Sequence, residues 1–193
     1  MCLLDRFVVG AAILIAATVS AMASDGAQFG RPVTQQDIAA WDISIGPDGA
    51  GLPPGKGTVA QGEMVYAGKC QACHGEKGAG RPNDRLVGGM GSLAPDKGPP
   101  VKTVGSYWPY ATTVFDCIRR AMPYPMPGSL SNDDIYAVSA YILSLNGILP
   151  ADGKLDRDTL AKIKMPNRDG FIPDPVFKID NEQGPPTKRG GAR

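Results

Sequence analysis

Cys70-Gln71-Ala72-Cys73-His74 constrains this chain more than any other stretch. Two thiols followed at once by an imidazole form the C-x-x-C-H spacing of covalent haem attachment. The spacing has a physical reason. Thiols at the end of a helix reach the two vinyl groups on one porphyrin edge, while the next side chain turns its imidazole beneath the iron. The rival readings are a thioredoxin-like redox pair and half of a zinc site. The first wants a βαβ setting, and no alternating strand pattern of useful length or internal repeat is present. The second needs two more ligands, and His74 is the only histidine in the chain.

That lone histidine also excludes bis-histidine ligation within this polypeptide. Methionine thioether is the usual complement, and Met/His ligation raises the haem potential. Beyond the leader described below, the chain offers Met64, Met90, Met122, Met126 and Met165. Met122 is the expected iron ligand, because it leaves a helix on Pro123 and sits in a stiff proline-laced loop, MPYPMPGSL. Met126 in the same loop is the next candidate. Met64 falls mid-helix beside the motif and reads as core, where methionine usually serves as an adaptable filler.

Three helices are expected around the haem. The first runs from Thr58 to His74, with Thr58 and Gln61 spaced as a capping box and Val59, Gly62, Tyr66 and Cys70 on one face. The second covers Pro109 to Ala121, with Pro109 in its first turn, Ala111, Val114, Phe115 and Ile118 at helical period, and Pro123 beyond its end. The third covers Asn132 to Asn146. Ser131 caps it, Asp133 and Asp134 meet the positive end of its dipole, and Ile135, Val138, Tyr141, Ile142 and Leu145 form its apolar stripe, with Gly147 as the stop. A short helix is expected within Asp156 to Ile163.

Lys+Arg 20 against Asp+Glu 19 leaves a formal charge of +1. No nucleic-acid footprint is written into that balance, and any charged docking patch must be local. At the start, Arg6, an apolar run from Phe7 to Ala17 and Ala21-Met22-Ala23 fit an export signal cleaved after Ala23. The run is shorter than the ~20 residues that span a bilayer, so no membrane span is expected after cleavage. Cleavage removes Cys2 and leaves Cys70, Cys73 and Cys117 in the periplasm, where haem is attached. The expected organisation is a signal peptide over 1–23, an extended arm over 24–57, a haem domain over 58–149 and an extension over 150–193. The extension's Gly184–Arg193 end has little to bury and is expected to be disordered.

With these elements in place, the chain resembles a class I cytochrome c, in which the first and last helices cross tightly over the haem. Gly62 and Tyr66 match that family's small and aromatic contacts, with Val138 and Tyr141 as implied partners. A closer resemblance is to the cytochrome subunit of the Sox sulfane dehydrogenase and to sulfite dehydrogenase cytochromes. The matching stretches include Trp41-Asp42, Pro47-Asp48-Gly49, Gly51-Leu52-Pro53-Pro54, Cys70 to Gly75, Tyr107 to Pro123, Pro127 to Ile148 and Met165 to Phe171. The resemblance implies an all-α class I fold with one haem c, Cys70 and Cys73 as its thioether anchors, and His74 and Met122 as its axial ligands. It implies a non-enzymatic electron carrier, fed by a molybdenum-containing dehydrogenase subunit and discharged by an acceptor cytochrome. The single C-x-x-C-H departs from the two-haem Sox subunit, so the chain resembles one haem domain of it or a stand-alone relative. The alternative is a haem enzyme with an open or displaceable sixth position, peroxidase-like or thiosulfate-oxidising, although no distal histidine exists to assist it.

Other residues carry weaker signals. Trp108 precedes the second helix, where class I cytochromes commonly place an aromatic against a haem propionate; core packing is the equal alternative. Arg119 and Arg120 read as solvated and dipole-complementary at a helix end. Cys117 reads as a buried, inert thiol, against a redox or intermolecular-disulfide role. Met165 to Phe171 either covers a haem edge or joins a docking surface.

Overall fold

The computed structural model describes residues 30–172, so the expected export signal over 1–23 and the stretch beyond 172, including the Gly184–Arg193 end expected to be disordered, lie outside the described residues. Two compact units divide at Ile43 and Ser44. In the smaller, helix α1 (Gln35–Trp41) interrupts what reads in sequence as an extended arm. Its cause is local: Thr34 and Asp37 form a capping box, and Arg31 grips Asp37 through both guanidinium nitrogens at 2.6 and 2.7 Å.

The larger unit begins with a segment tied down through its own backbone groups rather than left free. Leu52 is buried, Tyr136 donates its hydroxyl to the Pro53 carbonyl at 2.8 Å, and Asp133 accepts from the Lys56 amide at 2.8 Å. Strand β1 (Lys56–Thr58) then pairs antiparallel with β2 (Lys154–Asp156). Strands of three residues leave no alternation to read in sequence, and this pairing is made across nearly the whole domain.

Helix α2 (Val59–Lys69) starts on the expected Thr58–Gln61 capping box and buries Val59, Gly62 and Tyr66. The expected continuous helix breaks at Cys70, whose φ of −120° makes a joint before the single turn α3 (Gln71–His74). Helix α4 (Ala111–Ala121) starts two residues later than Pro109 suggests. Tyr110 is held extended by an isolated antiparallel bridge to Lys164, so tertiary pairing overrides the proline start signal. Helix α5 (Asn132–Leu145) has the Ser131 cap, reinforced by Asp134. It ends with Gly147 N–H on Ser144 O and Ile148 N–H on Leu143 O, the paired bonds of a Schellman motif with glycine at positive φ. The last element is α6 (Arg157–Leu160), capped by Asp156.

Helix α5 is buried on every side from Ile135 to Leu143 rather than along one stripe, because α2, α4, β1 and β2 all pack on it. Phe115 stacks on Tyr136 with ring centroids 4.5 Å apart, and Tyr66 meets Tyr141 at 5.3 Å. Fully buried side chains such as Phe115, Leu143 and Leu160 each contribute roughly 1.5–3 kcal/mol of apolar burial. The α2–α5 crossing is set by Gly62, where a Cβ would collide with the Ala137 carbonyl and Tyr141 Cβ. Gly62 is thus met most closely by Ala137 and by Tyr141, one of the two implied partners, and the Tyr66–Tyr141 pair is present. Among the described residues, no helix is long and apolar enough to cross a membrane.

Candidate functional site

The joint at Cys70 lets α3 turn away from α2 while hydrogen bonds continue through it. His74 N–H reaches Cys70 O at 2.9 Å, and Gly75 N–H reaches Gln71 O at 2.8 Å. Gly75 has φ 75°, and a side chain there would strike the Gly80 carbonyl, so only glycine permits the tight return. The returning loop is sewn to the motif by Gly80 N–H on His74 O at 2.7 Å and Asn83 N–H on Cys73 O at 2.9 Å. Tyr66 donates its hydroxyl to Gly75 O at 2.9 Å, anchoring the same turn to α2. Burial pushes that phenol up to about 12, which keeps it a donor at physiological pH.

This folding-back brings the Asp84 carbonyl to 2.8 Å from His74 Nδ1. A carbonyl oxygen can only accept, so Nδ1 carries the proton and Nε2 presents its lone pair. The imidazole is therefore fixed in the tautomer that binds a metal. The sequence held no sign of this partner, because it is a backbone atom delivered by a loop.

Beside the motif lies a cavity of about 440 Å³. Cys70, Cys73 and His74 line it on the motif side. Its walls are mostly apolar, with Leu86, Val104, Val114, Ile118, Leu130 and Ile142 from the returning loop, the following loop, α4, the loop between α4 and α5, and α5. Lys69, Arg85 and Lys102 bring cationic groups to the lining, against Asp84 as the one acid. An apolar slot with cations on its lining suits a porphyrin with two anionic propionates, and two free thiols plus a metal-ready imidazole supply its anchors. Burial, with Cys73 next to it, pushes the Cys70 thiol up to about 11. Among the described residues no group of three or more His, Cys, Asp or Glu is placed to hold a metal ion.

Met122 lines the same cavity. The other described methionines do not: Met126 is 55% exposed, Met90 53%, and Met165 is buried in the core. Met64, expected in the core, is 69% exposed, because the buried face of α2 is the Val59–Gly62–Tyr66 face and residue 64 points elsewhere. Trp108 both lines the cavity and packs against the core. Cys117 is half-buried and lines the cavity too, its thiol raised above the ordinary value by burial and by Asp116. Arg120 pairs with Asp116 at 2.8 Å one helical turn back. The Met165–Phe171 segment is braced on the loop before α4: Asn167 donates to Tyr107 O at 2.7 Å, and Arg168 lies 4.2 Å over the Tyr110 ring.

Comparison with known proteins agrees with this geometry. Residues 57–142 match the family of cytochrome c oxidase, cbb3-type, subunit III. A thiosulfate dehydrogenase of Stutzerimonas stutzeri (strain A1501) is 30% identical over 113 residues, 58% of this chain and 35% of that protein, so the match spans about a third of that relative. Among solved structures, the sulfane dehydrogenase SoxCD from Paracoccus pantotrophus is similar with a TM-score of 0.72 and 37% identity, covering 87% of this chain and 84% of the matched one. Likeness over that share of both chains, in sequence and in fold, goes well beyond a shared five-residue motif. The chain belongs to the c-type cytochromes, with covalently bound haem c as its cofactor, and is an electron-transfer domain related to those of sulfane and thiosulfate dehydrogenases.

Proposed function

We propose that this protein is a periplasmic single-haem electron carrier with His74 and Met122 as axial ligands and Cys70 and Cys73 as thioether anchors. It takes electrons from a molybdenum-containing sulfite or sulfane dehydrogenase subunit and hands them to a downstream cytochrome. The observation that carries the reading is the pairing of two donors in one cavity: His74 with Nε2 left free by the Asp84 carbonyl, and Met122 from the loop after α4. A bound haem would supply a one-electron change between ferric and ferrous iron. The chain's residues do the rest. Asp84 O holds the imidazole, the apolar wall keeps water from the porphyrin face, and Lys69, Arg85 and Lys102 offer charge to the propionates.

The dehydrogenase partner is supported by the names of both relatives. A docking rim is supported by Tyr124 and Met126, 81% and 55% exposed in the loop that carries Met122. The named thiosulfate dehydrogenase favours a second reading, in which the haem itself oxidises thiosulfate at a displaceable sixth position. Ferric absorption spectroscopy separates the two. The carrier reading expects a methionine-to-iron charge-transfer band that disappears in Met122→Ala. A ferric wild-type spectrum without that band, with thiosulfate turnover by the isolated protein, overturns it.

A further inference from the structure

The Met165–Phe171 segment has no part in the electron-transfer chemistry proposed above, and it lies beyond residues 57–142, the stretch that matches the family. It is nevertheless fastened at several points. Met165 is buried, and Lys164 just before it bridges Tyr110. Asn167 donates its Nδ2–H to the Tyr107 carbonyl at 2.7 Å, and the Phe171 ring packs edge-on against that of Tyr107 with centroids 5.2 Å apart. Tyr107 is thus gripped twice, by its backbone and by its ring. The same ring carries a cation: Lys102 Nζ stands 5.0 Å from its centroid, within the range of a cation–π contact. Lys102 also lines the haem cavity, whereas Tyr107, Asn167 and Phe171 do not. The segment therefore fixes the seat of a charge at the cavity without entering the cavity itself.

We propose that Asn167 is a positioning residue for the reduction potential: through Tyr107 it keeps the Lys102 ammonium beside the porphyrin, and that charge holds the potential up. The sign follows from charge. Ferrous haem carries one positive charge fewer than ferric haem, so a fixed cation nearby favours the reduced state. Lys102 is exposed, and an ammonium on a flexible four-carbon stem is otherwise free to swing into water, where its charge is screened. Only a held ring gives that charge a lasting place, and Tyr107 is held from two directions by one segment. The inference rests on the haem-carrier reading, but on neither the sixth ligand nor the identity of the redox partners.

The test is redox titration of the full haem-loaded chain, followed by absorption at low and at high salt. Asn167→Ala is expected to lower the equilibrium constant for reduction roughly threefold to tenfold at low salt, and the difference should shrink at high salt. Tyr107→Leu leaves the carbonyl for Asn167 but removes the seat of Lys102, and is expected to lower the constant as much. Lys102→Gln sets the limit of the effect, so adding Asn167→Ala to it should change little further. If Asn167→Ala lowers the melting temperature but not the potential, or lowers the potential just as far in the Lys102→Gln background, Asn167 is a structural tie and the proposal is wrong. Should Asn167→Ala fail to fold, Tyr107→Leu decides the same point, and a wild-type potential in that variant overturns the proposal. A wild-type chain that retains no haem covalently is a separate outcome, in which the carrier reading itself has failed.

Discussion

Gly62 and Gly68 lie on the same helix and allow a clean measurement of what the α2–α5 crossing contributes. Replacing either by alanine gains helix propensity of about 1 kcal/mol in an interior position, somewhat less near the helix end. At Gly68 no heavy atom lies within 4 Å of the added Cβ, so only that gain remains. At Gly62 the new methyl meets the Ala137 carbonyl and Tyr141 Cβ, well inside the 3.0 Å that real Cβ contacts essentially never breach. Backbone cannot rotate aside, so the helices must part. Overpacking of this kind costs about 1–3 kcal/mol, and backbone contact places Gly62→Ala at the upper end. Subtracting the propensity gain leaves a net loss of about 2 kcal/mol. For a chain of this size that lowers Tm by roughly 4–8 °C. Thermal or urea unfolding of the haem-loaded protein, followed by far-UV circular dichroism, reads both variants. Gly68→Ala should unfold at or slightly above wild type. Equal midpoints for the two variants would refute the claim that close backbone approach at residue 62 sets this crossing.

Three further outcomes are expected. Cys70→Ser or Cys73→Ser should sharply reduce the haem that survives a denaturing gel stained for haem, and undiminished staining would contradict thioether attachment at these residues. Asn146→Ala should destabilise by about 1–2 kcal/mol. Its amide donates to Leu86 O at 3.2 Å and Ile142 O at 2.9 Å and accepts from Gly88 N–H at 3.3 Å, so faster hydrogen exchange around residues 86–88 is the readout. Arg31 holds the Asp37 carboxyl far below the usual carboxylate range, and the Thr34 hydroxyl adds to it. A depressed folded value means that the stabilisation is complete above about pH 4 and is lost as pH falls toward that value. Helix α1 should accordingly fray in acid and in high salt, and an Ile38 amide signal unchanged by acidification would dismiss the bridge.

Much of the site is local chemistry and could be read in advance. The caps at Thr58 and Ser131 sit where polar residues precede a helical period, because the bonds involved span only three residues. The same holds for the Gly147 stop. Two failures occur where a distant partner intervenes: Lys164 holds Tyr110 extended and delays α4, and β1 finds β2 from the far end of the domain; α1 is a different failure, a local Thr34–Asp37 capping box inside a stretch read as an extended arm. The Met64 error has a related origin, since helical period alone does not say which face another helix will cover.

By itself the sequence determined that the chain carries one C-x-x-C-H motif and a single histidine, and so which thiols and which imidazole a covalently bound haem would be expected to use. These follow from covalent spacing and residue count, which no packing can change. Tertiary structure alone decided that Asp84's carbonyl orients that imidazole, that Met122 rather than its neighbour Met126 lines the cavity, and that Cys117 looks into the haem cavity. Each is a relation between segments brought together by burial of the α2–α5 core, and neither period nor composition records which segments will meet.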